Sequence, residues 1–261
     1  MNKIRKKITD ELLASCLRNK AIRQGIMFFS VLGSTVSNEE VEGYSDLDIL
    51  LVLESDRSGV ISNKILRELK KISEEYSHKY SVEISLLTHT VFDFEKYVDF
   101  NYLIHYSWGK VLYGKKSKYM ELFKKIIGKK YSNKVRKELI YYNLIHARFN
   151  LIRQYVSWNK FNKVDYKKKI LKLLIDKIIE ICDWALVYRD IFEKNKRGTV
   201  KNFNSSFSKN NYSHIPKQAL SIRSAWMMYD FESKEAKIFI DESILFIQEV
   251  IKVIQKEHAQ S

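Results

Sequence analysis

The run Asp46-Leu47-Asp48-Ile49-Leu50-Leu51-Val52 sets two carboxylates two residues apart at the head of an apolar segment. Strand alternation puts both acidic side chains on one face, with Cα atoms roughly 6.5–7 Å apart. An apolar run that does not alternate belongs to a strand buried on both faces, so the chain must build a sheet around it. Two carboxylates this close repel unless something positive sits between them, and a hard divalent cation with oxygen ligands suits that place. For Asp48 the bland alternative is weak, because a carboxylate inside an apolar strand is costly without a partner. For Asp46 a turn aspartate ahead of a strand is the simpler alternative.

Upstream, Ile26 to Leu32 forms another apolar strand that runs into Gly33-Ser34. Glycine permits a close backbone approach, and serine adds a hydroxyl beside backbone N–H groups, which is chemistry that suits a phosphate. Thr35 to Ser45, with Glu39, Glu40, Glu42 and Gly43, reads as a polar loop with a short helical start. Downstream, Ser81-Val82-Glu83-Ile84-Ser85-Leu86-Leu87 offers a third carboxylate on a later strand, Val82 to Thr88.

Gly33-Ser34, the spacer, Asp46-Leu47-Asp48 and Val82-Glu83-Ile84 together resemble the signature of the DNA polymerase beta-like nucleotidyltransferase superfamily. Lys110-Val111-Leu112-Tyr113-Gly114 is similar to the short strand that closes the catalytic domain of its small members. The resemblance implies a mixed-sheet catalytic domain and two Mg2+ ions held jointly by Asp46 and Asp48. It implies that Glu83 completes the nucleophile-side metal site or takes the hydroxyl proton, and that Gly33 and Ser34 cradle the β- and γ-phosphates. The implied substrate is ATP or another NTP.

The rest of the chain fits an α+β protein. Residues 4 to 24 read as one amphipathic helix with Ile4, Ile8, Leu12, Leu13, Cys16, Leu17 and Ile22 on its apolar face. Ser55 to Gly59 reads as a turn, Val60 to Tyr80 as a helix, and Phe92 to Trp108 as an aromatic-rich helix. The order strand, strand, helix, strand suits a mixed sheet with helices packed on one side. Beyond it come Tyr119 to Ile127, Asn133 to Trp158, Tyr166 to Phe192 and Glu232 to His258, a helical bundle by pattern. Gly198 and Asn202 to Asn211 read as a polar connection. The expected division is a catalytic domain over 1–116 and an all-α, acceptor-binding bundle over 117–261.

Composition adds limits. A formal net charge of +15 suits an anionic nucleotide or RNA, but the charge is spread along the chain rather than gathered. No transmembrane run and no apolar leader is read, so a cytoplasmic protein is expected, with Cys16 and Cys182 as reduced, part-buried thiols. The six histidines lack ligand spacing. Arg148 and Arg153 are candidates to offset triphosphate charge, with a solvated helix face as the plainer reading. Tyr141, Tyr142, Phe149, Tyr155 and Trp158 read as core, with an acceptor pocket as the alternative.

A catalytic domain of this size followed by helices resembles the antibiotic nucleotidyltransferases that modify aminoglycosides or lincosamides, so the expected acceptor is a small-molecule hydroxyl. Macromolecular transfer (RNA tailing, or AMP placed on a protein as antitoxin-type enzymes do) and a non-enzymatic binding relative are the alternatives. The oligomeric state stays open, a homodimer included.

Overall fold

The computed structural model describes the chain except residues 55–58, 99, 131, 158–163, 209–210 and 261; residues 101, 129, 130, 154, 157 and 164–166 are described by backbone alone. Most of the expected turn at 55–59, and Trp158, therefore lie outside the described residues. The chain divides into two units: Met1–Glu40 with Ser45–Ser132, and Val41–Tyr44 with Asn133–Ser261.

The first unit is α+β. Its elements are α1 (Lys3–Arg18), α2 (Lys20–Gly25), β1 (Ile26–Val31), α3 (Gly33–Ser37), β2 (Leu47–Leu53), α4 (Asn63–Tyr80), β3 (Ile84–Thr90), α5 (Val91–Lys96), α6 (Phe100–Ser107), β4 (Lys110–Tyr113) and α7 (Lys116–Lys130). The strands form one mixed sheet in the order β3-β2-β1-β4. β1 runs antiparallel to β2 and β4, and β2 runs parallel to β3.

β2 is the sheet's central apolar strand, with Leu47 and Ile49 to Leu53 all buried. Such a strand needs cover on both faces, and it has it. On one face Leu47, Ile49 and Leu51 join Ile8 and Leu12 of α1 and Leu69 and Ile72 of α4. On the other, Leu50 and Val52 join Phe94 of α5, Leu103 of α6, and Tyr119, Phe123 and Ile126 of α7. This corrects the expectation of helices on one side only. It also carries the first unit past residue 116, because α7 holds part of the second face's core. Each fully buried Leu, Ile or Phe stabilises by about 1.5–3 kcal/mol relative to exposure.

Two expected single helices are each broken in two. Asn19 is extended between α1 and α2, and its side-chain oxygen accepts from the N–H groups of Ala21 and Ile22, so it starts a new helix. α5 opens on a capping box in which Thr90 and Asp93 bond each other's backbone N–H, and it ends at Lys96 with Tyr97 as its C-cap, ahead of α6, which begins at Phe100.

The second unit contains α8 (Asn133–Ser157), α9 (Val164–Tyr188), α10 (Lys196–Ser206), α11 (His214–Ser224), a 3-10 turn at Trp226–Met228, and α12 (Lys234–His258). α9 packs against α8, α10, α11 and α12. It is buried almost all round from Ile178 to Tyr188, as befits a bundle's central helix. The expected polar connection is corrected: Gly198 and Asn202 to Ser206 lie inside α10, whose start is capped by Asn195 accepting from Gly198 N at 2.7 Å. Tyr44 is buried in this unit, edge-on to Trp226 at 4.8 Å between ring centres, and its hydroxyl donates to Asp176 at 2.9 Å. Among the described residues no helix is long and apolar enough to cross a membrane.

Candidate functional site

β1 ends at Val31, and Leu32 N donates to Asp48 O at 2.9 Å, extending the β1–β2 pairing one step past the strand. The backbone then turns at Gly33, at φ +62°, into α3. That pairing brings Gly33 against the Asp48 side chain: a β-carbon on Gly33 would lie 2.7 Å from Asp48 Oδ2. Glycine is thus required twice, for a left-handed backbone and for room beside a carboxylate.

Asp48 is the second residue of β2 and is half-buried. Asp46, also half-buried, lies just before the strand. Glu83 is exposed and precedes β3 rather than sitting within it, a correction to the expected strand Val82 to Thr88. Its carbonyl accepts from Leu47 N at 2.8 Å. With Leu47 paired to Ile84 and Asp48 to Ser85, Asp46, Asp48 and Glu83 occupy the same end of the sheet. Among the described residues no three His, Cys, Asp or Glu side chains converge as a ready-made metal cage. The half-buried Asp46–Asp48 pair is instead the kind of donor set that holds Mg2+ jointly with substrate phosphates, an ion that rarely takes an all-protein cage.

A cation already serves this end of the sheet. Arg5, on α1, is only 7% exposed, and its guanidinium donates to the Ser45 carbonyl. Burial pushes its pKa below the ordinary value, while the nearby charges of Glu40, Asp46 and Asp48 pull it back up. The guanidinium stays protonated throughout the usual pH range and relieves part of the repulsion between the two aspartates. Its Nη1 finds no hydrogen-bond partner among the described residues.

Ser34 is half-buried in α3, where its carbonyl accepts from Glu39 N at 2.9 Å and from the Ser37 hydroxyl at 3.3 Å. The next residue, Thr35, is fully buried, and its hydroxyl has no hydrogen-bond partner among the described residues.

The softer candidates fall in the second unit. Arg148 lies over the Phe149 ring at 5.1 Å. Tyr142, Phe149 and Tyr155 are exposed by 64%, 58% and 41%, which overturns their reading as core, while Tyr141 stacks on His258 at 4.4 Å between ring centres. His258 also meets the Tyr188 hydroxyl at 3.1 Å, and His214 pairs with Glu242 at 2.9 Å. Both thiols, Cys16 and Cys182, are free and fully buried rather than part-buried.

No known protein-family model matches the chain, and no curated protein is found to be similar to it.

Proposed function

We propose that this chain is a Mg2+-dependent nucleotidyltransferase of the polymerase beta-like kind, which transfers a nucleoside monophosphate, AMP from ATP by default, to a hydroxyl of a small molecule. The observation that carries the reading is the Gly33–Asp48 approach: a strand, a left-handed glycine and a short helix, with a carboxylate from the neighbouring strand held against that glycine. Asp46 and Glu83 at the same end of the sheet support it.

In this reading Asp46 and Asp48 hold the ions, and Glu83 completes the nucleophile-side site or serves as base. When bound, Mg2+ supplies neutralisation of charge on the triphosphate and lowers the pKa of the attacking oxygen. The chain's own task is alignment, since phosphoryl-type transfer asks for little covalent work. Gly33 and Ser34 bring backbone close to the β- and γ-phosphates. The acceptor oxygen forms a bond to the α-phosphorus, the bond to the bridging oxygen breaks, and pyrophosphate leaves. The hydroxyl proton passes to the Glu83 carboxylate where Glu83 is the base. Arg5 positions Asp46 and Asp48 by limiting their repulsion.

The acceptor proposed is a small-molecule hydroxyl of the antibiotic type, as on an aminoglycoside or a lincosamide. The test is pyrophosphate release from each of the four NTPs with Mg2+, across a panel of aminoglycosides and lincosamides and with total RNA. Release that depends on one small molecule is the expected result. Release with RNA alone moves the assignment to a macromolecular acceptor, and absence of Mg2+-dependent NTP binding overturns the reading.

A further inference from the structure

The second unit carries an open, groove-like cavity of about 410 Å³ between α10 and α11, lined by Arg197, Val200, Lys201, Asn204, Ser205 and Lys217. Three of these six residues are cationic and none is acidic. Arg197, Lys201 and Ser205 follow one another at four-residue spacing along α10, so they line one helix face, and Lys217 faces them from α11. Like charges one turn apart on a helix oppose its stability. Lys201 and Lys217 make no ion pair among the described residues. Glu193, the acid nearest the start of α10, is instead taken up by the amide of Asn202.

Asn204 makes this more than a basic surface. Both its Oδ1 and its Nδ2 are sequestered from solvent, and neither has a hydrogen-bond partner among the described residues. A buried amide without partners is costly, and pockets that bind ligands use such groups for orientation. The volume falls in the range of small-molecule sites and exceeds what a bare inorganic anion fills. Val200, 3% exposed, gives the cavity an apolar wall.

We propose that this cavity binds a small phosphorylated organic molecule. Lys201, Lys217 and Arg197 take the phosphate, the unpartnered Asn204 amide turns out of its sequestered position to meet a polar group on the organic part, and Val200 packs against its carbon skeleton. The site does not depend on the carboxylates Asp46 and Asp48 or on the reaction proposed for them.

The test uses the full chain and phenyl phosphate as the probe, with EDTA present, titrated by calorimetry. Phenyl phosphate is expected to bind the wild type and Asp48→Asn with the same affinity. The Lys201→Gln/Lys217→Gln pair is expected to weaken binding by about tenfold or more, the loss of charge-assisted hydrogen bonds. Asn204→Asp is expected to weaken it likewise, by setting a like charge beside the phosphate, and Lys201→Arg to retain it. The lysines are exposed, so their replacement leaves the helices intact, which circular dichroism checks. Equal binding by the wild type and the double lysine variant overturns the proposal, as does loss of binding in Asp48→Asn. If a 12-nucleotide RNA binds through the same lysines and Asn204→Asp binds phenyl phosphate as the wild type does, the cavity is a polyanion surface and the proposal also fails.

Discussion

Gly33→Ala tests the contact on which the functional reading rests. The substitution carries two separable costs. Residue 33 sits at φ +62°, where an L side chain costs about 1–2 kcal/mol. The added β-carbon would lie 2.7 Å from Asp48 Oδ2, so the carboxylate must swing away, and an off-rotamer turn of about 30° costs about 0.5–1.5 kcal/mol. The first unit should therefore lose about 1.5–3.5 kcal/mol. In an Asp48→Ala background only the backbone cost remains, because the residue's β-carbon is 3.9 Å away, an ordinary contact. The double-mutant cycle should return a coupling of about 1 kcal/mol. Native-state hydrogen exchange on the β1 and β2 amides and on Leu32 N–H reports the first unit by itself. Equal cost in both backgrounds refutes the Gly33–Asp48 contact. In the proposed function Asp48 holds a metal ion, and displacing its carboxylate by about 1 Å should also lower turnover by about 10²-fold while the variant stays folded. Full activity in a folded Gly33→Ala protein removes the contact from the site.

Asp48→Asn keeps the shape and removes a charge, so turnover should fall by ~10³-fold or more with circular dichroism unchanged; full activity would sink its role as metal ligand. Arg5→Gln should weaken the first unit at pH 7 by about 1–3 kcal/mol, since a hydrogen-bonded cation beside carboxylates is removed, and a neutral effect on exchange rates would show that Asp46 and Asp48 do not need it. Burial raises the pKa of Glu180 on α9, against the opposing pull of Lys177, so its charged form is penalised in the folded state. That penalty is present above the raised pKa and absent below the ordinary carboxylate value, where both states are protonated. Glu180→Gln should then raise Tm at pH 7 and leave it unchanged near pH 4, and a lowered Tm at pH 7 contradicts this. Burial lifts the Cys16 thiol to about 11 and the Cys182 thiol well above its ordinary value, so neither should react with a thiol reagent at pH 7 until the chain unfolds, and rapid labelling of the native protein counts against this burial.

The parts of the fold legible in the sequence are those where burial leaves one solution. β2 is apolar at every position after Asp48, and its end at Leu53 and its two-sided burial follow from that alone. The same reasoning, carried one step further, requires helices on both faces, which strand order by itself does not reveal. Helix breaks escape the sequence pattern where a cap sits inside it: Asn19 between α1 and α2, and Tyr97, where α5 ends ahead of α6. α10 was hidden by its polarity. Its asparagines and serines suggest a loop, yet Thr199, Val200 and Phe203 are buried at helical spacing, and the Asn195 cap marks the start. On α8 the aromatic stripe misled, because Tyr142 and Phe149 stand on the face opposite buried Leu144, Ala147 and Leu151.

Arg5 shows why the site itself was only half legible. The two aspartates in an apolar run demand a positive neighbour, and the sequence alone points to a metal ion for that place. The same demand is met in part by a side chain far away in sequence. A signal was available on α1: the buried face is Arg5, Ile8, Thr9, Leu12 and Cys16, while Ile4, expected to face the core, is 64% exposed. A register shifted by one residue places an arginine among apolar positions, and a buried arginine needs a carboxylate. The acidic segments within reach of such a reading are Glu39-Glu40 and Asp46-x-Asp48, and Arg5 feels the charge of Glu40, Asp46 and Asp48. An arginine cannot lose its proton or exchange with solvent as an ion does, so part of the compensation at this end of the sheet is permanent. The net charge of Asp46, Asp48, Glu83 and Glu40 still exceeds it, which leaves room for a dication that arrives with an anionic substrate.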